Sequence, residues 1–307
     1  MISGVRSPGS FRDPSGFVFE RDGVLYRQVN RPYERDLALL RESGLHDSLV
    51  ADGLLVRADV VDSSLAMEPE AVAVLAPERV PFVSYPYEWC FGQLRDAALL
   101  TLDVMDRAVE RGMVLKDASA YNVQFLHGRP VLIDTLSFAA YREGQPWIAY
   151  RQFCQHFLAP LALMALVDVR LGALLRVHID GVPLDLASRL LPGTSRIRPG
   201  LLTHIHLHAR AQSQASKGAG KSAHISRTAL RALIDSLRDT IRGLPWKPSP
   251  TLWGDYYDHT NYADEAMAAK RRLVAEFADG IQPIPRMAWD LGANTGEFSR
   301  LLAERGI

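Results

Sequence analysis

Lysine is scarce in this sequence: there are five in 307 residues, and none precedes Lys116. A site in the first third that calls for a flexible primary ammonium has only arginine to offer, and arginine is no free substitute. Cysteine is scarcer still. Cys90 in "PYEWCFG" and Cys154 in "RQFCQHF" are the only two, with no CxxC or Cys/His spacing. That excludes a disulfide framework and a zinc ribbon, and both are expected as buried thiols in a reducing compartment. Excess charge of either sign is absent, with 35 Lys+Arg against 35 Asp+Glu. No global field therefore favours nucleic acid or an anionic membrane. The longest apolar run, "FLAPLALMALV", is broken by Pro160, closed by Asp168 and too short to span a bilayer. The opening "MISGVRSPGSFRDPSG" has no apolar core of a signal peptide. No repeats occur. A soluble cytoplasmic protein is the expectation, with no nucleic-acid or membrane partner.

What is present is ordinary globular chemistry, 48% hydrophobic and 23% charged, with length enough for two domains. Residues 1–15 are rich in Gly, Pro and Ser and are expected to be loose. "GFVFERDGVLYRQV" alternates around Asp22-Gly23, which predicts a hairpin with a type I′ turn. "YERDLALLRESGL" predicts a helix ending near Gly44, and "GLLVRADVV" and "AVAVLAPERVPFVSYP" predict strands. Leu94, Ala98, Thr101, Leu102, Met105 and Val109 share one helical face, with Gly112 placed to end that helix. "MVLKDASAYNVQF" and "RPVLIDTLSF" predict two short strands with polar ends. Two long helical stretches follow, separated by "ARAQSQASKGAGKSAH", which is expected to be an exposed loop. "PWKPSPTLWG" has the composition of a linker. The predicted division is a loose 1–15, a domain over 16–245, and a linker plus the start of a second domain over 246–307.

The segment "AWDLGANTGEFSRLLAERGI" predicts a strand ending at Asp290, a turn carrying Gly292, Asn294 and Gly296, and a helix. Small residues let backbone approach a ligand closely. A dinucleotide fingerprint would read GxGxxG, whereas this stretch reads D-x-G-x-N-x-G. It resembles motif I of class I S-adenosylmethionine (SAM)-dependent methyltransferases, with Asn294 at the middle glycine. The resemblance implies that Gly292, Asn294 and Gly296 line the methionine and ribose of SAM, that Asp290 lies nearby through hydrogen bonds, and that Tyr257 or Tyr262 closes over the cofactor. The acid for the ribose hydroxyls lies about twenty residues beyond such a turn, past Ile307. The chain is accordingly expected to be the front part of a longer, complete enzyme.

A second constellation is Asp117 and Asn122 in "VLKDASAYNVQF" with Asp134 in "VLIDTL". A catalytic-loop Asp, an Asn five positions on and an Asp after the next strand form the phosphotransfer set of kinases. The segment resembles a protein-kinase-like or aminoglycoside-phosphotransferase-like C-lobe, with "LKD" for "HRD" and "IDT" for "DFG". That resemblance implies Asp117 as base and Asn122 and Asp134 as Mg²⁺ ligands. The strand lysine of a kinase is missing, Arg27 being the one plausible substitute, and no GxGxxG loop precedes it. Weak or absent phosphotransfer is the expectation, with Mg-ATP doubtful.

Together, "LKDASAYNVQF…IDTLSF", "YRQFCQHFLAPLALMA", "LTHIHLHAR" and "DLGANTGEFS" resemble a group of bacterial methyltransferases, some of nodulation type. The implied fold is an α+β kinase-like N-terminal domain followed by the first β-α unit of an α/β Rossmann-like methyltransferase domain. The implied activity is methyl transfer from SAM to an unidentified small-molecule or glycan-type acceptor. The alternatives are a kinase-like phosphotransferase or nucleotide-binding module, and a non-catalytic interaction module. Two signals are set aside. "ASKGAGKS" mimics a P-loop but follows no apolar strand. His204, His206 and His208 would share a face on a strand, yet they have no neighbouring acid to support a zinc site and are expected to be structural.

Overall fold

The computed structural model describes residues 4–10, 13–215, 224–247 and 263–307. Two compact units divide at Trp246 and Lys247.

The first unit opens with an antiparallel sheet. Strands β1 (Val5–Arg6), β2 (Gly16–Arg21) and β3 (Val24–Asn30) precede helices α1 (Glu34–Glu42) and α2 (Leu45–Ala51), and β4 (Ala58–Val61) and β5 (Ala71–Pro77) follow. The order across the sheet is β1-β2-β3-β5-β4. Asp22 and Gly23 both take left-handed φ, +54° and +76°, which is the type I′ geometry that matches the strands' twist. Gly44, at φ +67°, stops α1 and lets α2 start in a new direction. The expected loose N-terminus is partly ordered, because β1 finds the edge of β2 and pairs Val5 with Glu20. The strand expected over residues 53–61 is shortened. Leu54 and Val56 leave the sheet and exchange backbone hydrogen bonds with Leu132 instead.

Helix α3 (Phe91–Glu110) carries the core of the helical part. Its predicted face, Leu94, Ala98, Thr101, Leu102, Met105 and Val109, is buried as spaced. β6 (Met113–Leu115) pairs with β9 (Phe138–Ala140), and β7 (Val123–Leu126) with β8 (Arg129–Leu132). Then come α4 (Tyr150–Phe153), a π-helical stretch (Cys154–Leu158) and α5 (Ala159–Leu166), which form one run. Pro160 cannot donate to the turn before it, and the widened turn lies where that bond is lost. Separate helices follow, α6 (Leu174–Val177) and α7 (Leu184–Leu190), then a contiguous stretch of α8 (Pro199–Leu201), a second π-helical segment (Leu202–Leu207) and α9 (His208–Ala215), and last α10 (Arg227–Arg242). The segment expected as loop from Ala209 is therefore helical as far as Ala215, carried on from the buried turn before it. The P-loop-like residues 216–222 lie outside the described residues.

Two small clusters fill the sheet's faces. One joins Val29, Tyr33, Leu37, Ala58 and Leu75 to Leu136, in the short turn after Asp134. The sheet's own core thus fixes the distance between β3 and that turn.

Cys154 is buried, and burial pushes its thiol pKa up. Cys90 is exposed, against expectation: it precedes the first turn of α3, its N–H bonded to Gln93 Oε1, with its side chain off the buried face.

In the second unit, α11 (Asp264–Asp279) and α12 (Glu297–Ala303) pack together, with Ala278 and Leu301 buried. Arg305 Nε donates to Asp279 at 2.9 Å. The expected helix after the turn forms, but no strand is assigned at 286–290. A strand needs a neighbour to satisfy its N–H and C=O groups, and no strand is assigned anywhere in this unit among the described residues. Met287, Trp289 and Leu291 are exposed. No helix among the described residues is long and apolar enough to cross a membrane.

Candidate functional site

A cleft of about 620 Å³ lies between the sheet and the helical part of the first unit. Asp117, Asn122 and Asp134 all line it. β6 delivers Asp117, the short turn of Ala120–Asn122 delivers Asn122, and Asp134 lies two residues past β8 as the cap of the turn Thr135–Ser137. Arg27 reaches in from the middle of β3.

The acids do not stand free. Asp117 Oδ1 accepts from Ser119 N at 2.9 Å and from Gln152 Nε2 at 2.8 Å, while Gln152 Oε1 accepts from Ala118 N at 2.8 Å. Asp134 Oδ1 meets Arg27 Nη1 at 2.5 Å and accepts from Leu136 N at 3.2 Å. Its Oδ2 accepts from the Ser137 hydroxyl at 2.5 Å. Asn122 Nδ2 donates to the same hydroxyl at 3.1 Å. Asn122, Ser137, Asp134 and Arg27 thus form one continuous chain. Arg27 and Asp134 are each 16% exposed, so the pair is poorly screened. Arg27 Nε is buried with no hydrogen-bond partner.

A divalent cation needs free oxygens in near-octahedral array. Asp134 Oδ1 already meets a guanidinium that never deprotonates and a backbone N–H, while Oδ2 takes one hydrogen bond, from Ser137, and keeps a lone pair. No cluster of three or more His, Cys, Asp or Glu suited to a metal occurs among the described residues.

Lys116, next to Asp117, faces elsewhere. Its ammonium lies 4.6 Å from the centre of the Tyr33 ring and 3.3 Å from Ser15 Oγ. Tyr33 donates to Thr135 O at 3.1 Å, and burial, helped by Asp134, pushes its pKa up. Ser137, Gln152 and Tyr33 carry no sequence signal, since each matters only through a partner brought from another element. Gly9 and Ser10, in the connection from β1 to β2, also line the cleft. That placement depends on β1, which the sequence does not announce.

A second, more open cavity adjoins the first. Asp117, Asn122 and Gly9 line both, and Tyr121, Arg151, His156, His178 and Asp180 line only the second. His156 is 2% exposed, and burial lowers its pKa to about 4 despite nearby Asp117 and Asp180.

The three histidines are not on a strand. His204 and His206 lie in the π-helical stretch, where hydroxyls from neighbouring elements hold them. His204 bonds Tyr150 and Ser236 at 2.7 and 2.9 Å, and His206 bonds Ser188 and Ser195, both at 2.8 Å. His208 stacks on Tyr150 with ring centres 4.6 Å apart.

In the second unit the turn is left-handed at Gly292 (φ +78°), Asn294 (φ +51°) and Gly296 (φ +77°). A Cβ built at Gly292 would meet nothing within 4 Å, and one at Gly296 would meet nothing closer than Arg300 Nη1 at 3.8 Å. The glycines answer to backbone conformation, therefore, and the space before them is open. The Ser299 hydroxyl donates to Asp290 Oδ2 at 2.8 Å across the turn. Tyr257 and Tyr262 lie outside the described residues.

With both sites described, comparison with known proteins adds one relative. The chain is similar to a nodulation protein. That protein is NoeA of Rhizobium meliloti (strain 1021), 34% identical over 310 aligned positions that cover 98% of this chain and 64% of NoeA. The chain thus spans just under two thirds of that relative's length. No family model matches. Among solved structures, "Structure of vaccinia related kinase 3" aligns with a TM-score of 0.38 and 11% identity, over 79% of this chain and 91% of that one.

Proposed function

We propose that the second unit carries the cofactor turn of a SAM-dependent methyltransferase acting on a small molecule or glycan. The observation that carries this reading is the backbone of 292–296. Left-handed residues at 292, 294 and 296 alternate with residues of ordinary hand. That alternation turns successive N–H groups to one side and makes a concave, anion-accepting nest. Such a nest suits the methionine carboxylate of SAM, with Asp290, steadied by Ser299, within reach of a ribose hydroxyl or an amino group. The bound cofactor would supply an activated methyl on its sulfonium; this chain's residues bind and orient it. The sequence likeness to a nodulation protein is compatible with this reading and names no reaction.

Calorimetric titration of SAM into the full-length protein tests it. Binding is expected in the parent, and Gly296→Val and Gly292→Ala are each expected to weaken it by about tenfold or more, because both force a Cβ onto a left-handed residue facing the ligand. Undiminished binding in both variants would remove the assignment of this turn, and no binding by the parent would remove the reading.

A second reading belongs to the first unit, on a separate observation: Arg27, Asn122 and Asp134 line a cleft together with the apolar Val18, Leu75 and Ile133 and the charged Asp13, Glu78 and Arg79. A ligand with both apolar and polar parts suits such a cleft, and a nucleotide is the common example.

A further inference from the structure

We infer that residues 286–291 of the second unit pair with the same residues of a second copy of this chain, as two antiparallel strands. The segment is open to a partner. Arg286, Met287, Ala288 and Trp289 are exposed, and none of the backbone–backbone hydrogen bonds among the described residues is made by Arg286, Met287, Ala288 or Asp290. No φ over 286–291 is positive, which is compatible with an extended strand. Pro285 has no N–H to offer a ladder, and left-handed Gly292 turns the chain away, so pairing is limited to the residues between them. On an extended backbone side chains alternate. Met287, Trp289 and Leu291 then share one face, and they are 62%, 68% and 87% exposed. Arg286, Ala288 and Asp290 share the other. The order of these residues is self-complementary. In an antiparallel pair centred on Ala288, Arg286 of each copy stands opposite Asp290 of the other, and Met287 opposite Trp289. The opposite charges meet twice on one face, the apolar side chains meet twice on the other, and a small residue lies at the symmetry axis. A register changed by one residue would instead set Arg286 against Trp289 or Leu291. Parallel pairing in register would set like charges side by side. The contact is two-fold and closed, with one patch serving both copies. It does not depend on the SAM reading, which rests on the turn that follows.

The test is sedimentation equilibrium of the 307-residue chain in the absence of SAM, from about 1 to about 300 µM. A monomer–dimer equilibrium is expected, with a dissociation constant on the order of 10–100 µM for so small an interface. A monomer mass throughout, or masses that grow past the dimer, would overturn the inference. Arg286→Asp and Asp290→Arg each set like charges opposite one another, twice per dimer, and each is expected to weaken association by about tenfold or more. Mixed in equal amounts, the two variants restore both ion pairs, and the mixture is expected to dimerise as the parent does. That rescue needs both variants folded, so a general loss of structure cannot produce it. A parent-like dimer in either variant alone, or a mixture that associates no better than its components, would overturn the pairing centred on Ala288.

Discussion

Ser137 shows how much a site can depend on a residue with no signature of its own. Its hydroxyl accepts from Asn122 and donates to Asp134, and the side chain is fully buried. Ser137→Ala would leave the half-buried Asn122 amide and an Asp134 oxygen each short of a partner, at a cost of about 1–3 kcal/mol. Urea unfolding followed by circular dichroism should show that loss, and a midpoint equal to the parent's would mean that water replaces the hydroxyl without cost. Asp117, Asn122 and Asp134 could be picked out from residue type and spacing. Ser137 could not, because a serine three residues past an aspartate is common and gains meaning only when Asn122 arrives from another turn. Arg27 is intermediate: the want of lysine before Lys116 leaves it as the one basic candidate on its strand, yet nothing in "VLYRQV" says that it meets Asp134.

Elements formed where local pattern and packing agreed. In α10, Leu230, Ile234, Leu237 and Ile241 recur every three to four residues and are all buried, while Arg238 reaches Asp103 on α3 at 3.1 Å. Ile234→Ala should destabilise the first unit by about 2–5 kcal/mol, the usual range for emptying a buried aliphatic site. A denaturation midpoint unmoved by that change would show that α10 is peripheral to the folded core. The element that failed is the strand over 286–290. "RMAWDL" has the composition of a strand, but composition cannot supply a partner, and its apolar side chains are left facing solvent. "THIHLHA" failed in the opposite sense. Its alternation suits a strand, but the segment follows α8 within a continuous helical run. Three surrounding elements offer the histidines hydroxyl partners that a strand would not reach.

At the scale of the molecule, buried neutral imidazoles tie stability to pH. His156 and His204 are both buried, and burial lowers each pKa from 6.5 to about 4. Between those values the unfolded chain binds protons that the folded chain refuses, so stability rises with pH through that window and is lost as pH falls from about 6.5 toward 4. Each group accounts for at most about 3 kcal/mol, a large share of a typical 5–15 kcal/mol. Urea midpoints measured from pH 7 to pH 4.5 should fall steadily, and His156→Gln should flatten the slope. A pH-independent midpoint in the parent would show that these rings are hydrated or protonated in the folded protein. The cleft is also a property of this scale. It exists because Leu136 joins the sheet's own core, which holds β3 and the turn after Asp134 at a fixed separation.

The sequence by itself determined what depends on near neighbours. It set the Asp22-Gly23 turn, the buried face of α3, and the left-handed positions at Gly292 and Gly296, because φ preference and side-chain period act within a few residues. It also placed Asp117, Asn122 and Asp134 at the ends of short strands. Only the tertiary structure decided that Arg27 pairs with Asp134, that β1 brings Gly9 and Ser10 to the same wall, and that residues 286–290 do not form a strand. Each of these turns on a partner from elsewhere in the chain. Charge pairing and strand pairing act through space, so the residues that satisfy them carry no mark of it in their own surroundings.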